Sequence, residues 1–287
     1  MRGLIPLTAL VASLVVACGP DDPGVPENVA LTSDALDVAT QETGLFLSVA
    51  RAIEATRTGA ERLNDAADRA DTQLGEFYNR CATTTRVGPG LIRVALRNCP
   101  GRMGLRAVTG DLLYEIDLVG TAELRVRVRV VSGALRVGLV RITDFDATAL
   151  LQRTDTTLTL TIERSTYTAF GVYGQYVHRE VSSADDAPVT TTVNVNNRNC
   201  YAFSGTWRVS MGPGMYRARA YRVAVADFRR CFAQCPQPSE DAVTLTDLTP
   251  TDGGLSTFVV SFTGGSTAEW TSTNPTGHGV LTLLCSN

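Results

Sequence analysis

The chain has 287 residues, a formal net charge of −3 and 26 basic against 29 acidic side chains. That length suffices for one large domain or two small ones, and the lack of a basic excess argues against nucleic acid as a partner. The chain contains no lysine, so a lysine nucleophile, a Schiff base and a phosphate-binding lysine are all excluded.

The amino end sets the location. Arg2 precedes an apolar run from Leu4 to Ala17, 14 residues long, whereas a bilayer-crossing helix needs about 20. The run fits the central region of a secretory signal peptide over residues 1–17. Val15-Val16-Ala17-Cys18 resembles the lipobox of bacterial lipoproteins: an aliphatic residue, a tolerant position, a small residue, then cysteine. The resemblance implies cleavage before Cys18 and acylation of that residue, on sulfur and on the new amino terminus. Several acyl chains give stable membrane anchoring where one does not. Gly19, in place of an aspartate, implies the outer rather than the inner membrane. Residues 18–33 begin GPDDPGVPEN after the cysteine, rich in proline and acid. Such a segment buries too little to fold and reads as a solvated tether.

Residues 34–81 read as a helical segment. Leu45, Val49, Ala52, Thr56, Ala60, Leu63, Ala67, Ala70, Leu74, Phe77 and Cys81 recur at spacings of three and four, one stripe of an amphipathic helix. Arg57–Glu61 and Asp65–Arg69 are i,i+4 pairs of opposite sign. Gly59 is a point at which the helix can split in two.

From residue 82 to 287 the period changes to two. In TAELRVRVRVV, Leu124, Val126, Val128 and Val130 point one way and Arg125, Arg127 and Arg129 the other. A turn at Gly120–Ala122 sets Leu118 opposite Leu124, Ile116 opposite Val126, Asp117 opposite Arg125 and Glu115 opposite Arg127. A second turn at Ser132-Gly133 would set Val130 opposite Leu135 and Arg129 opposite Arg136. Both registers keep apolar with apolar. Further alternating runs, including TTLTLTIER, PVTTTVNV and LSTFVVSF, follow without helices between them, which implies antiparallel pairing.

Seven cysteines stand at 18, 81, 99, 200, 231, 235 and 285. An odd count in an exported chain leaves one thiol to explain, and acylated Cys18 accounts for it. The other six suffice for three disulfides in an oxidising compartment. Gly-Pro-Gly recurs at 88–90 and 212–214, flanked by Cys81 and Cys99 and by Cys200 and Cys231. This echo suggests bridges 81–99 and 200–231, leaving Cys235 with Cys285; the rival is 231–235 with 200–285.

No catalytic constellation emerges. Asp144-Phe-Asp146-Ala-Thr148 resembles the DxDxT signature of haloacid-dehalogenase-type phosphatases, which implies Asp144 as nucleophile on a parallel sheet. That family normally holds its phosphate with a basic residue, commonly lysine; this chain has no lysine and reads antiparallel. His178 alternates in phase with Phe170 and Tyr176 and reads as structural. His278, between glycines, reads as an exposed loop. No metal site and no cofactor are expected; C-x3-C at 231–235 reads as structural rather than zinc-binding. Arg129 and Arg136, facing each other without a carboxylate, form the one candidate anion site, suited to anionic lipid or a cell-wall polymer.

The expectation is an α+β, mainly β fold: an N-terminal amphipathic helix packed on a large twisted antiparallel meander, stapled by disulfides. Its expected role is that of a non-enzymatic cell-envelope lipoprotein that binds or scaffolds, anchored through its acyl chains, with protein partners unspecified. The second reading is a periplasmic carrier of a lipid or other hydrophobic ligand, since a helix across a curved sheet is the plan of half-barrel lipoprotein carriers. The third is an exported hydrolase.

Overall fold

The structure is a computed structural model. It describes residues 14–15, 42–78, 81–100, 107–171, 176–182, 187–195, 197–212, 219–231, 234–249, 256–274 and 276–283. Cys18, the tether and Cys285 lie outside the described residues. No described helix is long and apolar enough to cross a membrane.

Fifteen strands join in one antiparallel sheet. In chain order they are β1 (Leu14–Val15), β2 (Ala82–Gly88), β3 (Leu91–Pro100), β4 (Ala107–Leu118), β5 (Glu123–Val137), β6 (Val140–Arg153), β7 (Thr157–Phe170) and β8 (Tyr176–Ser182). Then come β9 (Val189–Asn194), β10 (Asn197–Gly212), β11 (Arg219–Cys231), β12 (Ser239–Asp247), β13 (Thr257–Phe262), β14 (Thr267–Thr273) and β15 (Gly277–Leu283). Strands adjacent in sequence pair, as a meander requires, with one variation. β8 and β9 share a lane: β9 pairs the first half of β7 and β8 the second, and both pair β10. β1 pairs β15 at one end. β1 falls in the stretch that the sequence reading assigns to a leader.

Alternation dictates the two faces. Ile92, Val94, Leu112, Tyr114, Val126, Val128, Ala147 and Ala149 are buried, and between or beside them stand Arg93, Asp111, Glu115, Arg125, Arg127, Arg129, Asp146 and Thr148. The core continues through Val193, Phe203, Trp207, Val223, Phe228, Phe258 and Val260. Over the inner face lie α1 (Thr43–Leu47), a 3₁₀ turn (Ala50–Glu54) and α2 (Ala60–Phe77). The stripe over 45–81 is therefore not one helix. Residues 55–58 are not helical; there Asp65 Oδ2 accepts the N–H groups of Thr56 (2.7 Å) and Arg57 (3.3 Å), and Gly59 turns at φ 62°. These backbone N–H donors, Thr56 first, hold the Asp65 carboxyl below its ordinary range. Polar contacts fix the helices across the sheet: Thr43 to Thr191 of β9 (3.0 Å), Glu54 to Arg153 of β6 (2.6 Å), and Tyr78 to Tyr114 of β4 (3.0 Å).

The β4–β5 hairpin has the register its alternation specifies: Leu118 opposite Leu124, Ile116 opposite Val126, Asp117 opposite Arg125, Glu115 opposite Arg127. The next expectation is corrected. Ser132-Gly133 is not a turn; β5 runs through it for 15 residues. The chain reverses at Gly138-Leu139, between facing residues Val137 and Val140. Gly138 has φ 61° while Leu139 keeps a negative φ, the pattern of a type II′ hairpin with glycine first. Gly133, at φ 107°, sits in an irregularity where β5 slips against both β4 and β6. The irregularity inverts the alternation, so Val128 and Leu135, seven positions apart, are both buried.

Candidate functional site: the outer face of the sheet

With helices over the inner face, the chemistry available to a partner lies on the outer one. Its centre is the arginine ladder of β5. Arg125 sends Nε and one Nη to the two oxygens of Glu163 on β7, at 3.0 and 3.3 Å. Arg127 makes the same two-pronged contact with Asp146 on β6, with Nε at 2.7 Å. A second oxygen of Glu115 lies 3.5 Å from Arg127, and Arg129 Nε donates to the first at 3.0 Å. Arg164 adds to Asp146 at 3.8 Å. Asp111 is shared by Arg93 and Arg97. The result is a lattice of alternating sign across β3 to β7.

Fork-on-carboxylate geometry favours the ionised form of both members. The Arg127 hydrogen bond holds the Asp146 carboxyl below the ordinary range, and Arg93 does the same for Asp111. A shallow concavity of about 300 Å³ opens on this face beside Glu115, Asp117, Arg125, Arg127, Thr148 and Arg164. A second, of about 260 Å³, opens beside Thr157, Thr192, Asn194, Ala202, Arg229 and Gln237.

The expected Arg129–Arg136 site is corrected by the same facts. Arg129 faces Leu113 on one side, as expected, but Asp146 on the other, and it bonds Glu115. Arg136 lies on the same strand, beyond the irregularity, opposite Arg141 of β6. The premise failed because the turn sits six residues later than Ser132-Gly133 implies. Like charges do face each other, but they are Arg136 and Arg141. The sequence signal for that pair was the Val137-Gly-Leu-Val140 turn, weaker in composition than Ser-Gly but flanked by apolar residues that pair.

The other singled-out residues are placed as follows. Cys81–Cys99 and Cys200–Cys231 are disulfides. Cys235 is disulfide-bonded too, so the local 231–235 alternative is excluded. Its expected partner, Cys285, lies outside the described residues. Asp144 and Asp146 stand on an antiparallel strand, with Asp146 engaged by Arg127. His178 accepts or donates at Thr168 Oγ1 (2.8 Å) and lies 3.4 Å from Glu180. His278 is not in a loop but in β15, opposite Thr271. Among the described residues no group of His, Cys, Asp and Glu is arranged to hold a metal.

Sequence reasoning missed one polar cluster. Arg179 of β8 is on the inner face, 3% exposed. It forms an ion pair with buried Glu42, just before α1; Ser165 donates to the same carboxylate, and the Tyr167 ring lies 4.4 Å from the guanidinium. Arg179 alternates like an apolar residue, and its partner lies 137 positions away, so no local pattern announces the pair. No family model, curated protein or solved structure matches the chain.

Proposed function

We propose that the chain is a non-enzymatic lipoprotein of the cell envelope, held to a membrane through acylated Cys18, whose folded part binds or scaffolds through its outer face. The observation that carries this is the Val15–Cys18 lipobox together with the cysteine account. Cys81, Cys99, Cys200, Cys231 and Cys235 are all in disulfides, as suits an oxidising compartment. We take Cys285 as the partner of Cys235, which leaves Cys18 for the lipid. The helical segment is read as an amphipathic cover over the sheet.

Intact-mass analysis of membrane-extracted protein tests this. The expected result is a chain that begins at acylated Cys18. A mature start elsewhere, or a disulfide between Cys18 and Cys235, overturns it.

A carrier of hydrophobic ligands is the less supported reading. Ala66, Ala67, Ala70 and Leu74 of α2 are fully buried, so small side chains bring the helix close to the sheet. The two concavities described above open on the outer face.

A further inference from the structure

One corner of the outer face differs from the lattice. Arg136 of β5 faces Arg141 of β6, Arg141 faces Phe170 of β7, and Phe170 faces Tyr176 of β8. The four side chains form a row across four neighbouring strands, about 4.8 Å apart from strand to strand. Both arginines are exposed. Among the described residues neither takes part in an ion pair, whereas all three ladder arginines are answered. The outward carboxylates nearest along the strands do not compensate. Among the described residues Asp144 forms no ion pair, and Glu180 lies 3.4 Å from His178 and faces Arg208 of β10.

Apolar groups accompany this charge. The Phe170 ring is 40% exposed and lies 6.4 Å from that of Tyr176. The hairpin that carries the arginines ends in Leu139, which at 81% is the most exposed large apolar side chain among the described residues. A type II′ turn projects it beyond the strands.

We propose that this corner is a membrane-docking rim, in which Arg136 and Arg141 hold phosphates of anionic lipid headgroups while Leu139, Phe170 and Tyr176 enter the interface. The inference rests on the lipoprotein reading for the presence of a bilayer. The chemistry selects a bilayer over a folded partner. Guanidiniums match phosphate, aromatic rings with a polar tip suit the headgroup level, and a single projecting leucine needs a medium that yields to it. Two cations in a chain of net charge −3 do not make a nucleic-acid track.

The test uses flotation with phosphatidylcholine vesicles, with and without one-third phosphatidylglycerol. The protein is residues 19–287, which keeps every described element except β1 and carries no lipid, so failure of Cys18 acylation cannot affect the result. The chain should float with the anionic vesicles at low salt and lose binding at high salt. At about 1 kcal/mol per basic residue near the surface, Arg136→Gln with Arg141→Gln should weaken binding about 30-fold. Leu139→Ser with Phe170→Ser should weaken it also, and Arg125→Gln should not. Intact disulfides and an unchanged circular-dichroism spectrum certify the folds. Wild-type chain that fails to float with anionic vesicles, or a double arginine variant that floats like wild type, overturns the rim and leaves the anchor reading to its own mass measurement.

Discussion

The two halves of the sheet share one topology but are stabilised differently. From β2 to β7 the inner face carries aliphatic and small side chains such as Val94, Val126, Ala147 and Ala149 beneath the helices, and the outer face carries the arginine–carboxylate lattice. From β10 to β14 the inner face carries large rings: Phe203 against Trp207, Phe228 against Phe262, Phe258 stacked on Trp270. Its outer face mixes Thr and Ser, as at Thr244, Thr246, Ser261 and Thr271, with charged residues such as Arg208, Arg222 and Glu269. A meander can be held by ring volume on one side or by a thin core with a charged outer net. The second arrangement leaves a surface whose charges are already matched, so that an unmatched pair such as Arg136 and Arg141 stands out.

Mutations can break this comparison, beginning with the largest effect. Phe228 is 1% exposed and contacts rings on both sides; Phe228→Ala should destabilise by about 3–5 kcal/mol through loss of burial and an uncollapsed cavity, read by urea denaturation. Arg179→Ala should cost a comparable amount, about 3–5 kcal/mol, because it leaves Glu42 charged and buried. Arg179→Ala together with Glu42→Ala should recover part of that loss, and a double-mutant cycle measures how much. Cys81→Ser with Cys99→Ser opens a loop spanning 18 positions and should cost roughly 3 kcal/mol in the chain-entropy model.

The smallest effect belongs to the lattice. Arg127→Ala should change stability by about 1 kcal/mol or less, because such half-exposed pairs contribute little, and the change should shrink in salt. The pH dependence has a definite sign. Asp146 and Asp111 have carboxyls held below their ordinary range by Arg127 and Arg93. Their contribution is present above the unfolded value of about 4 and is lost as pH falls through the lower folded value. Hydrogen exchange should therefore show β3 to β6 loosening in acid before β11 to β13. Equal loosening of both halves contradicts the comparison.

The first hairpin was legible in the sequence because two independent codes agree there: apolar alternation and the Glu115–Arg127 and Asp117–Arg125 complementarity. The second was not, since Ser132-Gly133 looks like a turn and only the longer-range pairing of Val137 with both Val108 and Val140 carries β5 past it. Partner choice within the lattice was half legible. Glu115 faces Arg127 in register, yet its closer contact is Arg129, and Arg127 prefers Asp146 across β6. A strand has two neighbours, and a single hairpin reveals one of them. Glu42 and Arg179 were illegible because a buried charge leaves no periodic trace.

The central claim is that Cys18 is the membrane anchor, and detergent-phase partitioning tests it most directly. The full chain is expressed in an exporting bacterium with its own leader, as wild type and as Cys18→Ser, and each extract is separated into detergent and aqueous phases. The account predicts wild type in the detergent phase and Cys18→Ser in the aqueous phase or retained as uncleaved precursor. A mature Cys18→Ser protein that partitions into detergent like the wild type contradicts it.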